Sequence, residues 1–291
     1  MLVCGPYDHR EFREAVNLLR QRSRATLCRD PQTAAAVLRV GFAPELLVVV
    51  VSHPGQWSSD EIDRLRRLCP LAPVVVLLGS WCEGETRSGT PWPGVVRLYW
   101  HEAASQLDRQ LAAMRENQRT PWSLPSTSAP DERLLADLPY IPAAADAGCI
   151  PASAGSRARP LLVICSENRP MAEWLVDAAG RGGFACVTVS RRQPWSACGA
   201  SPVLCDFDEI GTAEEAMLLG MVTSVHPAPV IAMMPFPRID QVGRLRTLGV
   251  ADVLGKPIDL RDLIWRLRGY ASSTSYSGSS TRTISRCQPG S

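Results

Sequence analysis

Gly249-Val250-Ala251-Asp252-Val253-Leu254-Gly255-Lys256-Pro257-Ile258-Asp259-Leu260 decides how the second half of this 291-residue chain is read. Ala251 to Leu254 reads as a strand, Gly255-Lys256-Pro257 stops it, and a helical pattern follows from Asp259 to Arg268. A strand feeding a helix is one step of a parallel α/β fold. Lys256, in the break, is the only lysine among 31 Lys plus Arg. Arginine serves for every other cation, so this position suits a need for a compact ammonium on a flexible stem. The plain alternative is one lysine surviving codon bias by chance.

Upstream the same step repeats. Leu161 to Cys165 reads as a strand, Met171 to Gly180 as a helix and Ala185 to Val189 as a second strand. Arg191 to Ala200, with Pro194 and Gly199, is a doubtful helix. Val203 to Cys205, then Asp206, forms strand three, followed by a helix over Thr212 to Val222, strand four over Pro229 to Met233 and a helix over Arg238 to Leu248. Five strands alternating with helices predict a parallel sheet.

The first half follows the same plan. Leu2 to Cys4 precedes an amphipathic helix from Asp8 to Arg22, with Asp8 as its expected N-cap. Ala25 to Cys28 precedes a helix opened by Asp30-Pro31 and closed at Gly41. Leu46 to Val51 is continuously apolar, as a strand covered on both faces must be, and Ser58 to Leu68 is a helix opened by Ser-Ser-Asp-Glu. Pro73 to Leu78 and Val95 to Tyr99 complete five strands, and His101 to about Asn117 is the closing helix. Between the last two strands, Ser80 to Gly94 holds three glycines and two prolines in fifteen residues, which makes it a loop. Residues 119–158, rich in Pro, Ser and Ala, read as a linker, and residues 271–291 as a disordered tail. The domains are thus expected at 1–118 and 159–270.

In the second domain, residues Gly249 to Leu260 resemble the fifth strand, Lys-Pro step and final helix start of response-regulator receiver domains. Pro202-Val203-Leu204-Cys205-Asp206 is similar to the strand whose last residue accepts the phosphoryl group, and Pro229 to Met234 to strand four. The resemblance covers about 110 residues. It implies a flavodoxin-like (CheY-like) doubly wound fold of five parallel strands in the order 2-1-3-4-5, with Asp206 as phosphoacceptor and Lys256 as its ion-pair partner. Phosphoryl transfer to an aspartate also needs an exposed carboxylate and a divalent cation to neutralise the phosphoryl oxygens.

Two departures bear on that chemistry. Where the family has an acidic pair after strand one, this chain has Cys165-Ser166; where the family has a sensing hydroxyl at the end of strand four, it has Met234. Glu167 replaces the pair only if the register slips. Mg²⁺ binding is therefore expected to be weak and phosphorylation slow or absent, leaving Asp206 and Lys256 in a permanent ion pair, and no cofactor is expected. The first domain resembles a more diverged receiver in architecture alone: Gly5-Pro6, Val51-Ser52 and Trp100-His101 stand where the reactive groups would be. Its loop carries Trp81, Glu83, Arg87 and Trp92, either as a partner surface or with the tryptophans folded back over the gap left by a missing helix.

Composition excludes several classes. A net charge of +2 gives no general attraction to nucleic acid or membrane, and the longest apolar runs are far shorter than the roughly 20 residues of a membrane span. No secretory signal is expected, so the protein is read as cytoplasmic. Ten scattered cysteines without a CxxC spacing read as buried reduced thiols. The leading expectation is a non-enzymatic signalling protein with tandem receiver-like domains, acting through protein contacts with pathway partners such as a histidine kinase or a second copy. The alternatives are a working phosphorelay receiver with Asp206 as acceptor, and a flavodoxin-like small-molecule binder, for which no Gly-rich phosphate loop is present.

Overall fold

The computed structural model describes residues 1–84, 92–118, 120–125, 127, 128, 132, 159–191 and 202–274. These form two compact units, each built on one sheet.

In the first unit β1 (Leu2–Cys4), β2 (Thr26–Cys28), β3 (Leu47–Val51), β4 (Val74–Leu78) and β5 (Val96–Tyr99) make a parallel sheet in the order β2-β1-β3-β4-β5. Every residue of β3 and β4 is buried, which is why both read as unbroken apolar runs: helices cover both faces of a central parallel strand. The connecting helices are α1 (Arg13–Arg22), α2 (Pro31–Arg39), α3 (Ser59–Leu68) and α4 (Trp100–Arg115). Asp30 caps α2 by accepting from the Thr33 N–H, and Ser58 with Glu61 forms the capping box of α3.

One expected cap is corrected. α1 begins at Arg13 rather than Asp8, and Phe12 occupies the cap position without a side-chain bond. The cause is tertiary. Glu11 is 5% exposed, and its carboxylate accepts from the Ser80 N–H at 3.2 Å and the Ser80 hydroxyl at 2.6 Å. The preceding residues form turns closed by the N–H groups of Tyr7, His9 and Phe12 on the carbonyls of Gly5, Pro6 and His9. Between β4 and β5 the described part of the loop contains a 3-10 turn, Ser80–Cys82. Further on, a turn at Pro121–Ser123 buries Trp122, inside the stretch that composition alone reads as linker.

In the second unit β6 (Leu161–Cys165), β7 (Ala185–Val189), β8 (Val203–Asp206), β9 (Val230–Pro235) and β10 (Asp252–Lys256) are parallel in the order β7-β6-β8-β9-β10. Numbered within the unit, this is again 2-1-3-4-5. In chain order the helices that follow β6, β8, β9 and β10 are α5 (Arg169–Arg181), α6 (Thr212–Val225), α7 (Ile239–Thr247) and α8 (Leu260–Thr274). Both units therefore have the doubly wound, flavodoxin-like fold. Two strands run further than the sequence suggests: β9 continues through Met234 to Pro235, and β10 to Lys256, because their last residues pair with each other, Met234 with Gly255 and Pro235 with Lys256. α8 likewise extends to Thr274, past the helical end expected at Arg268. Arg266 ties α8 to β10 through Asp252 at 3.0 Å and also pairs with Asp262, one turn earlier on α8, at 2.9 Å. Burial alone would lower its pKa, and the two carboxylates outweigh burial and hold it above the ordinary arginine value.

Candidate functional site

In an order 2-1-3-4-5 the chain leaves the first and third strands in opposite directions, and a crevice opens at their carboxyl ends. In the second unit that point lies between Cys165-Ser166, at the end of β6, and Asp206, the last residue of β8. Lys256 ends β10, two strands from Asp206. Strands repeat at about 4.8 Å, so the backbones are roughly 10 Å apart. A four-carbon stem closes that gap, and the Lys256 ammonium lies 2.8 Å from Asp206 Oδ1. The Asp206 side chain is 3% exposed and that of Lys256 14%.

The remaining Asp206 acceptors are also engaged. The Ser166 hydroxyl donates to Oδ2 at 2.7 Å. Ser166 Oγ also accepts from the Asn168 N–H at 3.1 Å, and Asn168 caps α5 by accepting from the Met171 N–H, so the start of that helix positions the serine. Arg191, just beyond β7, donates to the Asp206 main-chain oxygen. Its guanidinium lies 4.6 Å from the Phe207 ring centroid and 3.9 Å from Glu167. Lys256 has a second carboxylate, Asp208, at 3.4 Å, whose side chain is 86% exposed.

The structure thus brings Asp206, Lys256 and Ser166 together as one hydrogen-bonded group, and the ion pair expected from sequence is present. Glu167 is half exposed and turned to Arg191. Met234 is buried within β9 rather than at its end, and its thioether offers no donor for a phosphoryl oxygen. Cys165 is fully buried and cannot serve as an oxygen ligand. Asp206 is buried, where phosphoryl transfer needs an exposed carboxylate. Sequence reasoning missed Arg191 and Asp208. Arg191 follows the edge strand β7, and it is the strand order, rather than any local pattern, that sets it beside β6.

A divalent cation of the kind the resemblance implies takes about six oxygen ligands. The residues here do not fit one: both carboxylate oxygens and the main-chain oxygen of Asp206 accept from protein donors, and the guanidinium lies against the same edge. Among the described residues no group of three or more His, Cys, Asp or Glu is placed to hold a metal.

In the first unit the corresponding edge carries different chemistry. Glu11 and Ser80 close it, and the Ser52 N–H and hydroxyl both donate to Gln56 Oε1. Trp92 is half-buried against the core, whereas Trp81 is 75% exposed. Glu83 has a buried Oε1 with no hydrogen-bond partner among the described residues, and burial, then the nearby charge of Glu11, pushes its carboxyl up. Arg87 lies outside the described residues.

No protein-family model matches the chain, and no curated protein does. Solved structures similar to it include the receiver domain of a Francisella response regulator, 14% identical, covering 40% of this chain and 98% of that one with a TM-score of 0.33. A Burkholderia pseudomallei response regulator solved with a phosphorylated aspartic acid, a calcium ion and citrate is 13% identical, covering 40% and 71% with a TM-score of 0.34. A two-component system response regulator/GGDEF domain protein is 10% identical, covering 94% and 98% with a TM-score of 0.35. The doubly wound, flavodoxin-like fold of both units rests on their own strand order and parallel connections.

Proposed function

We propose that this chain is a signal-transduction protein whose two receiver-type domains work through protein contacts, with the second acting without phosphorylation of Asp206. The observation that carries this reading is the closed state of Asp206: a buried carboxylate with both oxygens hydrogen-bonded, one to an ammonium and one to a hydroxyl. A nucleophile in that state must first break a charge-assisted bond and a second hydrogen bond, and among the described residues no group of three or more His, Cys, Asp or Glu is placed to hold a divalent ion. Its partners on this reading are proteins of a signalling pathway, and its output is recognition rather than catalysis. Among the described residues, no helix is long and apolar enough to cross a membrane.

The test is a titration of the ¹⁵N-labelled full chain with Mg²⁺ and then beryllofluoride, following the amides next to Asp206, Met234 and Lys256. No saturable shift is expected at millimolar metal. Saturable shifts centred on Asp206 and abolished by Asp206→Asn would establish the second reading, a phosphate-accepting receiver, which the Asp206–Lys256 pair at 2.8 Å favours.

A further inference from the structure

Arg191 has no part in the phosphorylation chemistry that the resemblance implies, yet it is the second cation of the site. We infer that Arg191 is the resident counter-cation of the Asp206 edge and that its guanidinium, rather than the loss of an acidic pair alone, excludes a divalent ion. The inference rests on the phosphorylation-independent reading above and deepens it.

Three contacts converge on this side chain, which is 17% exposed. Its N–H donates to the main-chain oxygen of Asp206, an acceptor a hard cation would otherwise use. It lies 3.9 Å from Glu167, the one carboxylate near the end of β6 that stands in for the missing pair, and so engages that charge as well. It stacks at 4.6 Å on Phe207, the residue after Asp206, which fixes the guanidinium over the edge of β8. Arginine stays charged at any working pH and presents a planar fork of donors, so one side chain can serve a carbonyl and a carboxylate at once. A divalent ion entering beside Asp206 meets this fixed positive charge within a few ångströms, where like charges repel strongly. Restoring an acid after β6 would then not be enough to restore metal binding.

That consequence sets the experiment. Mn²⁺, as a hard divalent probe, is titrated into the full chain, and free ion is counted by its paramagnetic resonance signal. The proteins are the unaltered chain, Ser166→Asp, Arg191→Met and the double variant, with circular dichroism melts to confirm folding. The unaltered chain and Ser166→Asp are expected to show no saturable binding at millimolar ion, and the double variant to bind at least about tenfold more tightly than Ser166→Asp. If Ser166→Asp binds as tightly as the double variant, Arg191 does not exclude the ion and the inference falls, while the phosphorylation-independent reading of the unaltered chain stands. Saturable binding by the unaltered chain would overturn both. Should Arg191→Met not fold, Arg191→Gln takes its place in both comparisons, and tight binding by Ser166→Asp with Arg191 in place overturns the assignment by itself.

Discussion

At the scale of single residues, the site is asymmetric in a way that stability measurements can read. Asp206 is fixed at the end of a buried strand and, among the described residues, has Lys256 as the only ion-pair partner of its carboxylate, whereas Lys256 has a flexible stem and a second carboxylate, Asp208, at 3.4 Å. Removing the ammonium leaves the buried carboxylate hydrogen-bonded to the Ser166 hydroxyl, with the Arg191 guanidinium engaged at the main-chain oxygen instead of the carboxylate. Removing the carboxylate lets the ammonium swing to Asp208 and water. Lys256→Met is therefore expected to cost about 3 kcal/mol or more in denaturant unfolding. Asp206→Asn, with an amide still able to accept from Ser166, is expected to cost only about 1 kcal/mol. The double variant should lie nearer to Asp206→Asn than to the sum, and simple additivity would show that the pair does not act as a unit. Residues Asp206 and Lys256 were legible in sequence because the runs that carry them resemble two strand ends of receiver domains and because Lys256 is the only lysine. Arg191 was not, because it precedes a stretch of weak periodicity and its role depends on which strand stands next to β7.

At the scale of elements, local signals were reliable where a cap or turn decides the structure and failed where a distant bond does. Asp30 and Ser58 cap their helices as read, since both caps are completed within three residues. Asp8 does not cap α1: its carboxylate pairs with Arg29 at 3.1 Å, and the helix begins only at Arg13, after Glu11 has been claimed by Ser80, 69 residues away. The Asp30 cap has a pH signature. Its carboxyl is held below the ordinary value by the Thr33 N–H and then by the Thr33 hydroxyl. A lowered folded-state pKa means that the stabilisation is present above the unfolded value of about 3.9 and is lost as pH falls through the lowered one. Asp30→Ala is expected to destabilise the first unit by about 1 kcal/mol at neutral pH, and the difference from the unaltered chain should vanish in acid. A difference independent of pH in urea melts at pH 7 and pH 3 would show that the hydroxyl and backbone geometry, not the charge, supply the cap.

At the scale of the whole molecule, two sheets of the same order each bury their own central strands, and six of the seven described cysteines are buried. Cys4 and Cys28 stand in register on β1 and β2, Cys165 and Cys205 on β6 and β8, all as free thiols. Burial, then the neighbouring Cys28 and Asp30, pushes the Cys4 thiol up to about 12, so it stays protonated and unreactive near neutrality. Cys4, Cys82, Cys165 and Cys205 are expected to resist a thiol reagent at pH 8 in the native chain and to label fully in denaturant without reductant, read by mass spectrometry of the peptides. Fast native labelling would contradict the burial, and failure to label in denaturant would reveal a disulfide. The alternation of apolar runs with helical patterns determined, by itself, that this chain is α/β with two five-stranded parallel sheets, because a doubly covered strand has no polar face to show. Periodicity and turn residues also placed Asp206 and Lys256 at strand ends. Only the tertiary structure decided that the two meet at 2.8 Å, that Asp206 is buried and fully hydrogen-bonded, and that Arg191 joins them. These facts depend on strand order and on the reach of side chains across two strands, which no local pattern encodes.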